Sequence, residues 1–444
     1  MDAVLLARLQ FAMTVGFHFL FPPVTIGLAW LLVIVETIGW RKKKEIYQEI
    51  GKFFAKLLAI IFAIGVATGI VMEFQFGTNW SEYSKFVGDI FGAPLAAEGV
   101  FAFFLESGFL GLYLFGRNRV SKGVHWFSAL MVAIGSTISA FWIIAANSWQ
   151  QTPAGYVLQN GRAELTSFAE AVFNPSTVIR FFHTFDAALI AGAFFMAGIS
   201  SYYLLNKRNT EIFRASMKTA VIFGLIVSLL ELFPFGHEHA KQVAHTQPEK
   251  FAAIEGLYTT KDGAPLVMFA IPTMPPPQLR GKIEIPGMLS WMAFGDVNAR
   301  IPGINEFPAD ELPPLWLTFV SFHNMVVLGV LFILIMLWSV YSLYKKNILE
   351  NKKLLKILLW AIPFPLIACQ LGWIAAEVGR QPWIVYRLLR TSDAVSVTVP
   401  AGNILFSIIL FGLIYLILGI LCVYLIVREV KHGPALHEGK EAVV

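Results

Sequence analysis

The sequence has few charged residues and almost no cysteine. Only 14% of its 444 residues are Asp, Glu, Lys or Arg, whereas 57% are hydrophobic and the mean hydropathy is +0.65. A water-soluble protein cannot expose so much apolar surface. Cys369 and Cys422 each lie inside an apolar run, which predicts packing residues rather than a disulfide or a metal clamp. No C-x-x-C-H motif is present, so covalent haem attachment of the c type is excluded.

Long apolar runs dominate the chain instead. They are continuous rather than alternating, which excludes a transmembrane β-barrel and predicts an all-α, polytopic membrane protein. The first residues, with Asp2 and Arg8, lead directly into an apolar run, so no cleavable signal peptide is predicted. The runs predict nine transmembrane helices, at about 14–39, 54–76, 95–116, 124–147, 183–205, 218–236, 315–341, 355–376 and 403–427.

The basic residues predict the orientation of these spans. Lys and Arg cluster in the first, third, fifth and seventh loops, whereas the second loop holds only Lys85. Positively charged loops remain in the cytoplasm. The N-terminus is therefore predicted outside and the C-terminus, with Arg428 and Lys431, in the cytoplasm, which nine spans satisfy. The net charge of +5 comes from these short loops and does not indicate nucleic-acid binding.

One connection, residues 237–314, is far longer than the others. It is polar and rich in proline, with three prolines in a row at 275–277. Connections of this length are normally functional or disordered, and hydrophobic islands such as 266–271 predict partial order. We therefore divide the chain into helices 1–6 (1–236), an outer loop (237–314), and helices 7–9 with a cytoplasmic tail (315–444).

Two histidines and a methionine are predicted near the outer ends of their spans, at similar depth: His18, His183 and Met325. A His and a Met on facing helices can hold a haem iron from both sides, which produces a low-spin, electron-transferring centre. A lone His can hold a five-coordinate haem that is open to oxygen. The alternative is that each His is a hydrogen-bonded core residue and that Met325 only packs.

Carboxylates also lie inside the apolar runs, where ionisable side chains are costly and mark candidate functional sites. Glu98 and Glu106 are eight residues apart, which in an unbroken helix is a rotation of about 80° and a rise of about 12 Å. That spacing suits two stations on a proton path. Glu377 is followed one turn later by Arg380, which can offset its charge or that of a haem propionate. The alternative for each is a structural ion pair.

Four stretches together resemble subunit I of the cytochrome bd family of quinol oxidases. They are RLQFAMTVGFHFLF, FGAPLAAEGVFAFFLES, ISAFWIIAANSWQQTPAGY and GRQPW, in this order over nearly the whole chain. The resemblance implies a terminal respiratory oxidase that oxidises membrane quinol at the outer face and reduces dioxygen to water. It also implies two haem b groups, one low-spin and one high-spin, and one haem d.

The resemblance further implies roles for individual residues. His183 and Met325 would be the axial ligands of the low-spin haem. His18 and Glu377 would serve the two high-spin haems, with Glu98 as an alternative or auxiliary ligand. The remaining matched positions are the proton-conducting Glu106 and Ser107, the interhaem aromatic Trp373, and Arg380 near a haem group.

The outer loop is similar to the quinol-binding loop of the family. Its stretch EKFAAIEG, residues 249–256, resembles the family's quinol motif, so Lys250 and Glu255 would lie at the quinol. The loop lacks the insertion of longer-loop members, which predicts a short-loop type. Many members have an arginine two residues before the ligand methionine, whereas His323 stands there in this chain. His323 could bond a propionate with a titratable charge, or compete with Met325 as a ligand.

The predicted mechanism separates charge without a pump. Quinol protons would leave on the outer face, and the protons consumed with dioxygen would come from the cytoplasm past Glu106 and Glu98. The family also implies a second large subunit, a small single-helix accessory subunit, and residence in a bacterial or archaeal cytoplasmic membrane. The alternatives are a proton-coupled transporter, a haem b electron-transfer subunit that needs only His183 and Met325, and an oxidase with another electron donor.

Overall fold

A computed structural model describes residues 2–99, 103–273 and 278–434. The fold within these ranges is mostly helical. The helices are α1 (Ala3–His18), α2 (Pro22–Lys42), α3 (Glu45–Thr78), α4 (Ser81–Ala97), α5 (Phe103–Phe115), α6 (Lys122–Gln151), α7 (Phe168–Val172), α8 (Thr177–Leu205), α9 (Thr210–Leu230), α10 (His237–Thr246), α11 (Pro248–Glu255), α12 (Met288–Phe294), α13 (Leu315–Tyr344), α14 (Lys352–Trp360), α15 (Phe364–Val378) and α16 (Ala401–His432).

Short strands were not expected in an all-α fold, and they occur only in the connections. Four antiparallel pairs form within the described residues, namely β1–β2, β3–β6, β4–β5 and β7–β8. The strands are β1 (Tyr156–Gln159), β2 (Arg162–Leu165), β3 (Lys261–Asp262), β4 (Leu266–Thr273), β5 (Gln278–Ile285), β6 (Arg300–Ile301), β7 (Trp383–Val385) and β8 (Leu389–Arg390). Each pair lets a connection satisfy its own backbone hydrogen bonds.

Seven helical segments in the described part of the chain are long and apolar enough to cross a membrane. They begin with α1–α2 and α3, continue with α6, α8 and α9–α10, and end with α13 and α16. The bent pair α14–α15, with an angle of 40° between its parts, makes an eighth if it counts as one span. The segment predicted at 95–116 is different: α4 ends at Ala97, and α5 is only 13 residues long.

The first span begins earlier than predicted. Helix α1 starts at Ala3 rather than near residue 14, and Asp2 caps it by accepting a hydrogen bond from the Val4 amide at 2.9 Å. A break at 19–21 separates α1 from α2, whose first turn contains Pro22 and Pro23. Proline is tolerated in a first turn because its missing N–H would be unpaired there. His18 therefore lies at an internal break and not near the end of the span.

The predicted outer loop is largely folded. Helix α9 ends at Leu230, and a short π-helical segment, Glu231–Gly236, with a kink at Phe233, joins it to α10, which begins at His237. Helix α11 and α12 then pack with the short strands around an apolar cluster that includes Phe251, Leu257 and Leu289. Burial of these side chains explains why a proline-rich segment is ordered. The prolines at 275–277 lie outside the described residues.

Helix α8 forms the centre of the bundle. Nearly every side chain from Ala188 to Ser201 is buried. It crosses α2 where Gly27 faces Gly192, and a Cβ atom on either glycine would overlap the backbone of the other helix. Such close backbone approach is typical of small residues at membrane helix interfaces. It places the end of α8 that carries His183 beside the helices that line the site.

We expect Gly192→Ala to destabilise the protein by about 1–3 kcal/mol, because the added methyl group overpacks the α2–α8 crossing. Thermal unfolding of the purified complex measures this as a lower Tm. Gly88→Ala is the matched control, since nothing lies within 4 Å of a Cβ atom there. Equal Tm values for the two variants would contradict this account of the crossing.

Candidate functional site

One large cavity gathers the predicted site residues. Its volume is about 1330 Å³, larger than the about 300–1,000 Å³ of ordinary small-molecule sites. The predicted residues among its lining are His18, Glu98, Glu106, His183, Lys250, Glu255, His323, Met325, Trp373, Glu377 and Arg380. Ser107 is not among them; its hydroxyl donates to the Phe103 carbonyl of the preceding turn at 2.7 Å.

His18 is oriented by a hydroxyl group. Its Nδ1 lies 3.0 Å from Thr68 Oγ1, and that hydroxyl donates its own proton to the carbonyls of Ile64 and Gly65. With the hydroxyl proton on either carbonyl, Thr68 Oγ1 accepts from an Nδ1–H of His18, and this tautomer leaves Nε2 as the basic nitrogen. The ring lies against Gly69, where a Cβ atom would be 3.1 Å from Cε1. The missing side chain at Gly69 makes room for the imidazole.

His183 lies beside a carboxylate. Its Nδ1 lies 2.9 Å from Glu231 Oε1, across the interface between α8 and the π-helix. A carboxylate beside the second ring nitrogen is common for histidine ligands of metals, although His183 Nδ1 makes no hydrogen bond within the described residues. The sequence analysis did not assign Glu231 this role. The feature of the sequence that could have pointed to Glu231 is its position, followed by Pro234, at the end of an otherwise apolar span.

Met325 lies where α13 packs against α15. A Cβ atom on Gly372 would be 2.8 Å from Met325 Sδ, so the absence of a side chain at Gly372 creates the space that the thioether occupies. His323 lies two residues before Met325 on α13, and its ring contacts backbone oxygens. Its Nδ1 and Nε2 each lie 3.1 Å from a backbone oxygen, of Phe319 and Val267 respectively. Neither nitrogen is thus exposed to an iron atom in this arrangement.

Glu377 is held by two partners at the end of α15. Its Oε2 accepts from Arg380 at 2.5 Å and its Oε1 accepts from Asn147 Nδ2 at 2.9 Å. Arg180 in turn donates to Asn147 Oδ1 at 2.6 Å. Arg380 is only 4% exposed and also donates to Gln150 Oε1 at 3.0 Å. A carboxylate has about four acceptor sites, so Glu377 keeps lone pairs for a further ligand.

The sequence analysis missed the residues that support Glu377. Asn147, Arg180 and Gln150 come from α6 and α8 and were not singled out. The only local signal was the polar end of the run at 147–151, which follows a long apolar stretch. The spatial partners of a buried ion pair cannot be deduced from one sequence.

Glu98 and Glu106 meet the same side of α6. Glu98 accepts from Ser139 Oγ at 2.6 Å, and Glu106 packs against Gly135, where a Cβ atom would lie 3.1 Å from its Cβ. These two contact points on α6 are four residues apart, a rise of about 6 Å. Residues 100–102 lie outside the described residues, so the predicted spacing of about 12 Å along one unbroken helix stays a prediction.

Lys250 and Glu255 lie on α11 and are both buried. Lys250 Nζ donates to Gln151 Oε1 at 3.1 Å and to the Ala376 carbonyl at 3.0 Å, beside Glu377. Burial lowers the pKa of Lys250 well below its usual value. Burial also raises the pKa of Glu255 to about 8. Oε2 of Glu255 has no hydrogen-bond partner in the described residues, so it can accept a proton from a ligand.

Both cysteines are free thiols, as the sequence predicted. Cys369 lines the cavity from α15, and Cys422 is buried on α16. The described residues contain no group of three or more His, Cys, Asp or Glu side chains that could hold a metal ion by themselves. A metal at this site would therefore need a cofactor that supplies most of its ligands.

Comparison with known proteins identifies the family. Residues 6–434 match the family model for cytochrome bd terminal oxidase subunit I. The chain is 43% identical to the cytochrome bd ubiquinol oxidase subunit 1 of Bacillus subtilis, over 98% of this chain and 94% of the relative. It is 36% identical to the cytochrome bd-II ubiquinol oxidase subunit 1 of Escherichia coli, over 99% and 98%.

A solved structure has the same fold. The bd oxidase from Geobacillus thermodenitrificans superimposes with a TM-score of 0.92 and 29% sequence identity, covering 98% of this chain and 99% of that one. These matches span the whole bundle and the outer loop, so the transporter alternative no longer applies. The chain therefore belongs to the cytochrome bd terminal oxidase subunit I family of membrane-bound quinol:oxygen oxidoreductases.

Proposed function

We propose that this chain binds two haem b groups and one haem d in its large cavity and passes electrons from an outer quinol site to dioxygen. The observation that carries the proposal is the arrangement of His18 and His183. Both line one cavity, and each has a polar side chain beside its Nδ1, the Thr68 hydroxyl at 3.0 Å for His18 and the Glu231 carboxylate at 2.9 Å for His183, so Nε2 of each would serve an iron atom. The donor set, two imidazoles, a thioether and carboxylates, fits haem ligation.

His183 and Met325 are the proposed axial ligands of the low-spin haem. His18 and Glu377 are proposed for the two high-spin haems, with Glu98 as an auxiliary ligand. Trp373 is proposed to lie between haems, and Arg380 beside one of them. When bound, the haems supply the one-electron steps and the cleavage of the oxygen–oxygen bond. A purely electron-transferring subunit would need only His183 and Met325, and the presence of His18 and Glu98 in the lining of the same cavity disfavours it.

Lys250 and Glu255 are proposed to hold and deprotonate quinol. The position of Lys250 beside the end of α15 supports an anchor for a quinol oxygen close to Glu377. The free oxygen of Glu255 supports a role as the acceptor of a phenolic proton. Since His323 contacts Val267 of β4, we assign it the task of fixing the outer loop to α13.

Glu106 and Glu98 are proposed to carry protons from the cytoplasm to the oxygen site, with Ser107 beside them. Glu106 is only 8% exposed, and its contact with α6 lies one turn from the contact of Glu98. Protons released at the outer face and consumed from the inner face would separate charge without a pump.

The proposed topology has nine spans, with α4–α5 forming the third, the N-terminus outside and the C-terminus in the cytoplasm. It keeps the three-part division at 1–236, 237–314 and 315–444. Apolar side chains such as Phe406, Leu413 and Ile420 are exposed along α16. This exposed apolar face supports contact of α16 with lipid or with another subunit. We propose a second large subunit, a small single-helix subunit, and a bacterial cytoplasmic membrane, since the relatives compared above are all bacterial.

Removal of a low-spin ligand tests the haem assignment. We expect His183→Ala or Met325→Ala to abolish the low-spin haem b bands in reduced-minus-oxidised optical spectra, because the iron loses an axial ligand. His323→Ala serves as the control and should keep those bands. Retention of the low-spin bands in His183→Ala would overturn the assignment.

Substitutions on α11 test the quinol site. We expect Lys250→Ala to slow quinol oxidation about tenfold to 100-fold, the equivalent of a charged hydrogen bond of about 1.5–3 kcal/mol. Reduction by an artificial donor that reaches the haems directly should be unaffected. With a base whose pKa is about 8, the quinol rate should rise with pH up to about 8, as the carboxylate ionises. Glu255→Gln should remove this rise, and an unaltered pH profile would exclude Glu255 as the base.

Glu106→Gln tests the proton path. We expect oxygen consumption to fall about 100-fold or more, because an amide cannot relay a proton, while the haem content stays that of the unsubstituted protein. Oxygen uptake and pyridine-haem analysis measure the two quantities. Glu170→Gln, an exposed carboxylate on α7, is the control. Unchanged turnover in Glu106→Gln would mean that protons travel by another route.

A further inference from the structure

The β4–β5 pair of the outer loop carries large apolar side chains that the rest of the described chain leaves exposed. Met268, Phe269 and Ile271 on β4, and Ile283 and Ile285 on β5, are each 44–62% exposed. Phe269 pairs with Ile283 across the two strands, and Ile285 follows two positions later, so these three side chains share one face. An exposed apolar patch of this kind is typical of a surface that contacts a partner or a membrane.

The pair is attached to the exposed side of α13. Nε2 of His323 lies 3.1 Å from the carbonyl oxygen of Val267 on β4. Trp316 and Val330 are seven residues before and after His323, and Val327 is four residues after it, so all three lie on the same side of α13. Their exposed fractions are 52%, 43% and 54%. This side of α13 is the apolar surface of a membrane-spanning helix, and the β4–β5 pair extends that surface.

The position of this attachment along α13 places the pair at the edge of the hydrocarbon. Helix α13 has 30 residues, whereas about 20 residues cross the hydrocarbon core of a bilayer. Near one end of α13, the exposed Tyr341 is followed by lysines at 345–346, which is typical of the membrane–water interface. About 20 residues counted back from Tyr341 reach Phe322, next to His323. Val267 therefore lies at the opposite edge of the hydrocarbon.

Basic side chains on β5 suit a lipid surface. Arg280 and Lys282 are exposed and lie close in sequence to the apolar residues of the same strand. Glu284 is the only acidic residue of the two strands, so their net charge is positive. Long basic side chains cover apolar surface with their methylene groups while the charge stays in water, and anionic headgroups attract that charge. An apolar face with basic neighbours thus matches the chemistry of a bilayer surface.

The pair also packs beside the proposed quinol residues. A Cβ atom on Gly256 would lie 2.9 Å from Cδ1 of Leu279 on β5, so this strand lies directly against the end of α11. Glu255 immediately precedes Gly256 in the chain. The position of the β4–β5 pair is therefore coupled by direct packing to the position of Glu255.

We propose that the β4–β5 pair docks its apolar face into the outer lipid leaflet beside α13. Docking there holds the outer loop, with Lys250 and Glu255, at the level of the membrane surface. The contact with lipid follows from the fold alone, whereas its consequence for quinol rests on the proposed function.

Spin labels on the two strands test the contact with lipid directly. Phe269→Cys and Ile283→Cys are each made in a chain with Cys369→Ala and Cys422→Ala and labelled with a nitroxide. The whole complex is then reconstituted into vesicles of phosphatidylethanolamine and phosphatidylglycerol. We expect the ratio of collisions with dissolved oxygen, which concentrates in lipid, to collisions with a water-soluble nickel chelate to be severalfold higher at both labels than at Asp262→Cys, the exposed control on β3.

Each other result of this measurement would overturn the proposal. Free access of the nickel chelate to both labels would place the face in water. Protection of both labels from oxygen and from the chelate would mean that a protein, such as a second subunit or another copy of this chain, covers the face. The measurement needs no turnover, so its result is independent of the haem and quinol assignments.

A charged residue on the apolar face tests the consequence for quinol. We expect Phe269→Asp to raise the KM for membrane quinol about tenfold, because the apparent affinity falls with the fraction of protein whose loop is docked. The kcat and the reduction by an artificial donor that reaches the haems directly should be unchanged. Phe269→Leu, which keeps the side chain apolar, is the matched control and should keep the original KM.

The kinetic outcomes are distinguishable from failure of the proposed function. An unchanged KM in Phe269→Asp, with the labels in lipid, would overturn the coupling between docking and the quinol site. Normal quinol oxidation in the Lys250→Ala and Glu255→Gln variants would instead remove the quinol assignment and leave the result of the spin-label measurement standing.

Discussion

Ionisable side chains buried in an apolar helical bundle must find partners, and this requirement organises the whole site. The ion pair between Glu377 and Arg380 is the clearest case. Neither group could remain charged in hydrocarbon alone, and Asn147, Arg180 and Gln150 complete their hydrogen bonds. The network joins α6, α8 and α15, so the charges that serve the site also fix the helices around it.

Several of the ionisable side chains that line the cavity lie at or beside the ends of helices. His18 ends α1, Glu231 begins the π-helix after α9, and Glu98 follows the end of α4. Irregular backbone at membrane depth is tolerated where it lines a cavity or is covered by protein. Breaks in the helices also explain why α1–α2 and α9–α10 are longer than one straight span.

The outer loop closes the cavity from one end. Lys250 reaches the Ala376 carbonyl, and His323 reaches the backbone of Val267, so the loop is attached to both α15 and α13. A loop attached in this way brings Glu255 to the cavity while keeping it outside the spans. The proposed quinol residues on the loop and the proposed haem ligands on the helices thus line one cavity.

The sequence by itself determined the class of the molecule. Continuous apolar runs specify membrane helices, and motifs such as GRQPW specify the family, because both depend on residues close together in the chain. It also indicated His18, His183 and Glu377, because an ionisable residue in an apolar run stands out without any knowledge of its neighbours. The helix break was harder to predict: the apolar pattern continues through residues 231–236, although the chain kinks there at Phe233.

Only the tertiary structure decided which groups face one another. Glu231 is 48 positions from His183 and Thr68 is 50 positions from His18 along the chain, and no local pattern connects them. The first pair meets because α8 packs against the segment that follows α9, and the second because α1 packs against α3. Local periodicity determines whether a segment is a membrane helix, whereas the contacts that adjust a ligand depend on how several helices pack together.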